Sequence, residues 1–294
     1  MKNFEIQDKK LLVEDPDIQA SFIDTLCRIH KKSAGEAEMI FNREALYYKK
    51  ALLDNEWLRK CTGLSLYSSF LDIAISGLSI QPGSKSEAFL EARSAKQLES
   101  KEEGGKIYQK EVWVKVCRLV VTAYGELNMR IACGQIVRLN NPIVIYEGDR
   151  FQPRTNERGE LTVDYAPAIP RKSTKIIGVW CSIVLPNGGI DFKWLLKEDI
   201  HRLAEYSKPK NVENPQSSAL YRSYDGQIDP GFLEAKCIKH AMRAYTKLHI
   251  SDSITLEEDE QSEATPTGFA SNETKERETV TVQQQPEEDP DMPY

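Results

Sequence analysis

From Ser251 to Tyr294 the chain carries 13 acidic residues against two basic ones, Lys275 and Arg277, and few apolar side chains. A Glu-, Thr-, Gln- and Pro-rich stretch of this kind cannot bury enough surface to offset its chain entropy, so disorder is expected there. The folding problem then belongs to residues 1–250, read as one body, with 251–294 as an acidic tail. The same boundary divides the charge. The whole chain of 294 residues has 39 Lys+Arg and 45 Asp+Glu, net −6; setting aside the tail's −11 leaves 37 basic and 32 acidic groups, a net of +5. A mildly basic body with a strongly acidic tail points toward a polyanion partner.

Other features exclude whole classes. Hydrophobic residues make up 40% of the chain, enough for a globular core over the body. Met1–Asp8 lacks the apolar segment of a secretory signal, and the longest apolar run, around Val179–Leu185, is far short of the ~20 residues that span a bilayer. A cytoplasmic protein is expected. Six cysteines, at 27, 61, 117, 133, 181 and 237, stand singly with no Cys-x-x-Cys pair, so they read as reduced core residues. There is no Gly-x4-Gly-Lys-Ser/Thr loop, no Gly-x-Gly-x-x-Gly and no His-x-x-x-His among histidines 30, 201, 240 and 249. ATP-driven and zinc chemistry have no support.

The hydrophobic period changes along the body. Asp15-Pro16 starts a helix that places Ile18, Phe22, Leu26 and Ile29 on one side. Ser33 and Glu36 have capping-box spacing and open a second helix through Leu53. Ser65 caps a third, which Gly77 ends. Residues 92–106 read as a polar, flexible loop. Strands follow at 107–121, 131–139 and 143–147, and Ile176–Leu185 and Ile190–Leu196 flank the turn Pro186-Asn187-Gly188-Gly189. Helices near 198–206 and 231–249 close the body. Helices, then an antiparallel meander and hairpin, then helices predict an α+β fold.

The last helix is the most informative. Lys236, His240, Arg243 and Lys247 recur at one-turn spacing, with Lys239 at the flank, while Leu233, Cys237, Ala241, Ala244, Tyr245 and Leu248 take the other side. Such a cationic stripe is either a solvated face or a track for successive phosphates. On the predicted sheet, Trp113 and Lys115 share a strand face, Phe192 and Trp194 flank Lys193, and Arg118, Arg130, Arg138 and Arg150 are spread through the meander. Basic grooves with aromatic platforms hold single strands; for Trp180 and Trp194 core packing competes with stacking. Asp229 with Glu234 and Lys236 superficially matches a metal-dependent nuclease pattern, but Glu234 and Lys236 sit two apart on a helix and diverge.

The order of short segments resembles the RecT family of phage and prophage single-strand annealing proteins. The matching stretches are Phe41-Asn42-Arg43, Asn55-Glu56-Trp57-Leu58, Cys61-Thr62 with Ser65, Gly77 to Pro82, Ala88-Phe89-Leu90 and Ala123-Tyr124. They continue with Tyr146 to Phe151, Val163 to Pro167, Leu203 to Lys208 and Leu233 to Lys239. The sequence departs from the family where Lys115-Val116-Cys117-Arg118-Leu119 replaces a Gly-Tyr-x-Gly-Leu, where Cys237 replaces a Thr, and in extra residues at 138–145. The resemblance implies ATP-independent binding of single-stranded DNA and annealing of complementary strands by an oligomeric ring or filament. It also implies a phage exonuclease and the host single-strand binding protein as partners. No catalytic residue and no cofactor is expected, with magnesium at most assisting annealing.

The expected DNA contacts are Lys115, Arg118, Arg150, Lys193, Lys236, Lys239, Arg243 and Lys247. Trp113, Phe192 and Trp194 are expected to stack on bases or pack in the core, and Asp149 to act as a structural or intersubunit anchor. Asp291, Met292, Pro293 and Tyr294 resemble the docking tip of bacterial single-strand binding proteins; a plain solubilising tail and an electrostatic lid over the groove are the other readings. An oligomeric scaffold with a basic protein-binding face is the alternative to an annealing protein.

Overall fold

A computed structural model describes residues 9–103, 106–157, 159–208, 216–246, 248 and 254–256. After a 3-10 turn at Lys9–Glu14, α1 (Pro16–His30) begins on Asp15, whose side chain accepts from Asp17 N. The capping box of Ser33 and Glu36 opens α2 (Ala34–Asp54). A short helix, α3 (Glu56–Arg59), leads to α4 (Gly63–Ser76). Its cap is Thr62 rather than Ser65; Gly77 ends it with φ 68°, where a Cβ would meet the His30 ring.

The polar stretch expected as a loop is strand. β1 (Ala88–Glu103) and β2 (Lys106–Val121) form one antiparallel ladder running from Ala88↔Val121 to Glu103↔Lys106. Its base is apolar because it covers α4. Further out, Lys96, Gln97 and Leu98 of β1 are all exposed, so both faces of the strand meet water there and the apolar alternation that marks a half-buried strand is lost. Cross-strand pairing, such as Lys96 Nζ to Glu111 Oε2 at 2.8 Å, holds that end instead. The first core lies between this ladder and the helices: Phe70 contacts Phe22 at 4.8 Å, Tyr48 at 5.0 Å and Phe41 at 6.0 Å between ring centroids.

The strand expected at 131–139 shrinks to β3 (Arg138–Leu139), because Thr122 caps a helix, α5 (Ala123–Ala132), over its first residues. Gly125 is required there, since a Cβ would collide with the carbonyl oxygen of Glu87. β4 (Ile143–Tyr146) and β3 pair along one edge of β7 (Ile176–Val184), and β8 (Ile190–Leu196) pairs along the other through the expected hairpin. β5 (Arg150–Thr155) and β6 (Leu161–Ala166) form a separate hairpin. α6 (Lys197–Tyr206) and α7 (Pro230–Met242) complete a second core, with Val179, Cys181, Leu195, Leu233 and Cys237 at its centre.

The folded body does not stop at 250. Ile254 is buried in the first core, and β9 (Thr255–Leu256) pairs in parallel with Val120–Val121 of β2. Ile254 and Leu256 are the apolar side chains that dock this segment on the first core. The architecture is the expected α+β. All six cysteines are free thiols; Cys61, Cys117, Cys181 and Cys237 are buried, Cys27 is half-buried and Cys133 is exposed. Burial pushes the Cys117 thiol up to about 12 and Cys61 to about 11.

Arg130 is a core clamp and not one of a field of surface cations. It bonds Glu126 Oε1 through Nε at 2.9 Å and Nη2 at 2.5 Å, and reaches Gln135 Oε1 and the carbonyl of Thr246. Both partners of the pair are buried. Glu126→Ala would strand the guanidinium, and should lower the stability measured by urea denaturation by about 3–5 kcal/mol.

Candidate nucleic-acid interface

Alternation along β2 sends Trp113, Lys115, Cys117 and Leu119 to one face. Cys117 and Leu119 are buried against the helices. Two residues further out the face clears the core: Lys115 is half-buried and Trp113 is 70% exposed. β1 sets Ser94 opposite Lys115 and Lys96 opposite Trp113. Lys115 Nζ donates to Ser94 Oγ at 2.8 Å, and Lys96 Nζ lies 5.7 Å from the centroid of Trp113.

A second exposed tryptophan joins this face from α3. Trp57 is 56% exposed and has Lys115 Nζ at 5.0 Å and Lys60 Nζ at 4.4 Å from its ring centroid. Its position is held from below. Asn55 Oδ1 accepts from Trp57 N, Leu58 is buried, and Arg59 Nη1 caps the end of α2 through the carbonyls of Leu52 and Leu53. Thr62 N donates to the carbonyl of Lys115, which ties α3 to β2. The product is a continuous strip, Lys60, Trp57, Lys115, Trp113, Lys96, in which flat aromatic surface alternates with ammonium groups. Stacking of a base on an aromatic ring is worth ~1–3 kcal/mol, more than the ~0.5–1 kcal/mol of an exposed cation–π contact, so a base can displace a lysine from such a ring.

Of this strip, sequence reasoning identified Trp113 and Lys115 and missed Trp57, Lys60 and Lys96. Trp57 had a signal: it is the lone aromatic in a four-residue helix with charged neighbours, an arrangement that leaves no apolar stripe to bury it with. Lys96 fell in the stretch read as a loop.

The other expected contacts are dispersed. Arg118 lies three residues from Lys115 and therefore on the opposite face of the ladder, across from Glu91, which pairs with Arg93 at 2.5 Å. Arg150 pairs with Asp164 across β5 and β6. Lys193 is half-buried opposite Cys181, on the side of the sheet that carries α7. Phe192 and Trp194 face the other way. Phe192 lies 6.2 Å from Trp180 and Trp194 lies 6.1 Å from Phe151 between ring centroids, so both make aromatic packing contacts on that face.

The expected stripe on the last helix does not form. α7 stops at Met242, and Lys236 and Lys239 are each only 8% exposed. The reason is that α7 is covered on two sides, by β7 and β8 and by α5. Lys236 Nζ sits 5.1 Å from the Phe232 ring centroid. Beyond the helix the chain is diverted: Tyr245 donates to Asp191 Oδ2 at 2.9 Å, and Arg130 takes the carbonyl of Thr246. Arg243 is exposed at the helix end. Lys247, Asp291, Met292, Pro293 and Tyr294 lie outside the described residues. The nuclease-like acid Asp229 is the α7 cap, accepting from Phe232 N at 2.9 Å. Among the described residues, no group of three or more His, Cys, Asp or Glu side chains is placed to hold a metal.

Asp149 is a structural anchor within the subunit. Its carboxylate accepts from Tyr146 N at 3.0 Å, Ala168 N at 2.8 Å and the Tyr165 hydroxyl at 3.1 Å, joining the β4–β5 turn to the end of β6. Arg171 stacks 3.7 Å from the Tyr146 ring beside it. Partial burial pushes the carboxyl up, but these hydrogen bonds and the Arg171 charge outweigh it and hold the group below the usual aspartate range.

The description "RecT family" belongs to the family model that matches residues 48–268. That range covers the last third of α2, the strip and both cores from α3 onward. No curated protein matches the chain.

The depressed carboxyl at Asp149 sets a sign for acid sensitivity. Its stabilisation is full above the unfolded-state value of about 3.9 and is lost as the pH falls through its lower folded value. In denaturant titrations from neutral pH to pH 3, wild type should exceed Asp149→Asn in stability at neutrality, and the gap should close below about pH 4.

Proposed function

The chain belongs to the RecT family of single-strand annealing proteins of phage-type recombination, and on that premise we propose that it binds single-stranded DNA along the strip from Lys60 to Lys96. The observation that carries this placement is the alternation of two exposed indoles with three lysines on one rigid face. The lysines neutralise phosphates, the indoles take bases without regard to sequence, and the held strand is offered to a complement. Watson–Crick pairing then does the reading, and its energy with counterion release drives annealing without ATP.

The body's net +5 is modest for one subunit. A homo-oligomeric ring or filament would set copies of the strip end to end, so that a strand crosses many small cationic patches. A phage exonuclease would supply the single strands and the host single-strand binding protein would be the competitor or partner at the ends. Magnesium would assist by screening the two approaching backbones.

In this reading the tail's −11 charge acts on the same binding. As a lid it competes with DNA for the lysines; as a docking tag, its tip from Asp291 to Tyr294 recruits partners. Removing 257–294, which leaves β9 intact, should raise affinity for single strands at low salt if the tail is a lid, and leave it unchanged if the tail only docks.

The central test is a gel shift on single-stranded oligonucleotides together with an annealing assay without nucleotide triphosphate. Wild type should bind and anneal, and log K should fall linearly with log salt concentration. Changing Lys60, Lys96 and Lys115 together to Gln should reduce the slope by roughly 0.7 for each phosphate that is no longer neutralised. Binding and a salt slope equal to wild type would remove the strip from the DNA path.

A further inference from the structure

Trp57 has two ammonium groups against one exposed ring, and each is tethered elsewhere: Lys60 to Glu56 at 2.8 Å and Lys115 to Ser94 Oγ at 2.8 Å. The three side chains come from two separate elements, α3 with the residue after it, and β2. Two like charges beside one ring repel each other. In water that arrangement gains little for the free protein. It suits a ligand with a flat neutral face and negative charge on both sides of it, which is the chemistry of one nucleotide within a single strand.

We propose that Trp57, Lys60 and Lys115 form a seat for one unpaired nucleotide, and that the seat works by exchange. In the free protein the two lysines lie against the exposed indole. On binding, the base takes the ring, and the two ammonium groups move out to the phosphates on either side of that base. The tethers to Glu56 and Ser94 keep both lysines within reach of the ring when the base leaves. This deepens the strip reading and rests on it.

The exchange gives the seat a direction. A base inside a duplex has both faces covered by its neighbours and cannot lie on Trp57. When the complement pairs, the base restacks in the new duplex, the ring is vacated and the lysines return to it. The seat therefore favours unpaired strand over finished product, and annealing itself empties it.

The test uses the full chain, with an oligothymidylate and a duplex of equal length as probes. Trp57→Leu should weaken single-strand binding by about 5- to 150-fold, the range that loss of one stacked base implies. Duplex affinity should stay within about twofold of wild type, so the preference for single strands falls. Trp57→Phe, which keeps a ring, should recover most of the loss. Because Trp57→Leu can disturb folding, a second readout uses Trp57→Phe alone: oligothymidylate should quench more indole fluorescence in wild type than in this variant. Equal quenching in the two proteins overturns the seat. So does Trp57→Leu binding single strands as wild type does, or losing single strand and duplex in equal measure. Quenching of Trp57 by an acidic peptide but not by oligothymidylate would also overturn it, in favour of a protein ligand. If wild type binds no single-stranded DNA at all, the strip reading fails first; if it binds and Trp57 is indifferent, only the seat fails.

Discussion

The antiparallel ladder of β1 and β2 is the constraint on which the rest depends. Its register places Ala88, Leu90, Cys117, Leu119 and Val121 on the first core, and the same face, carried outward residue by residue, delivers Ser94, Lys96, Trp113 and Lys115 beyond it. A slip of one residue would exchange the faces, sending Lys115 away from Trp57 and Arg118 toward the helices. The inner half of the ladder fixes that register by burial. The outer half inherits it and uses it to present side chains. The ladder also feeds α5 through Thr122 and receives β9 at Val120 and Val121, so both cores are referenced to it.

Charge acts in this molecule by partition and not by total. The net −6 would argue against a polyanion ligand, but the acidic excess is in the last residues and the body is net positive. Within the body, many cations are already committed. Arg130 clamps the core, Arg150 is paired with Asp164, and Lys236 and Lys239 are buried. Among the described residues, cations also lie beside Tyr146 and Tyr124, but it is the outer ladder and α3 that set lysines against two exposed indoles. Cations against exposed rings are weakly held and can be redeployed to phosphates.

Much of the fold was legible in the sequence, and what was hidden has a physical reason. The caps at Asp15 and Ser33 and the hairpin around Asn187-Gly188 are local chemistry, and they stand where expected. The outer ladder was hidden because a strand exposed on both faces carries no apolar alternation. The end of α7 was hidden because Ala244, Tyr245 and Leu248 continue a helical period. What stops the helix is tertiary: Asp191 and Arg130 take the chain elsewhere. Lys115 and Trp113 could be paired on a strand face from spacing alone. That Trp57 completes the face depends on α3 docking against β2, and no local pattern encodes it.

The central claim is that the strand runs over the outer ladder and α3 and not along α7. Photocrosslinking of a bromodeoxyuridine-substituted single strand to the full-length protein, with the attached peptides mapped by mass spectrometry, tests it directly. Crosslinks should fall on peptides containing Trp57 and Trp113. Crosslinks confined to the α7 segment from Pro230 to Arg243, with none on either tryptophan peptide, would contradict it.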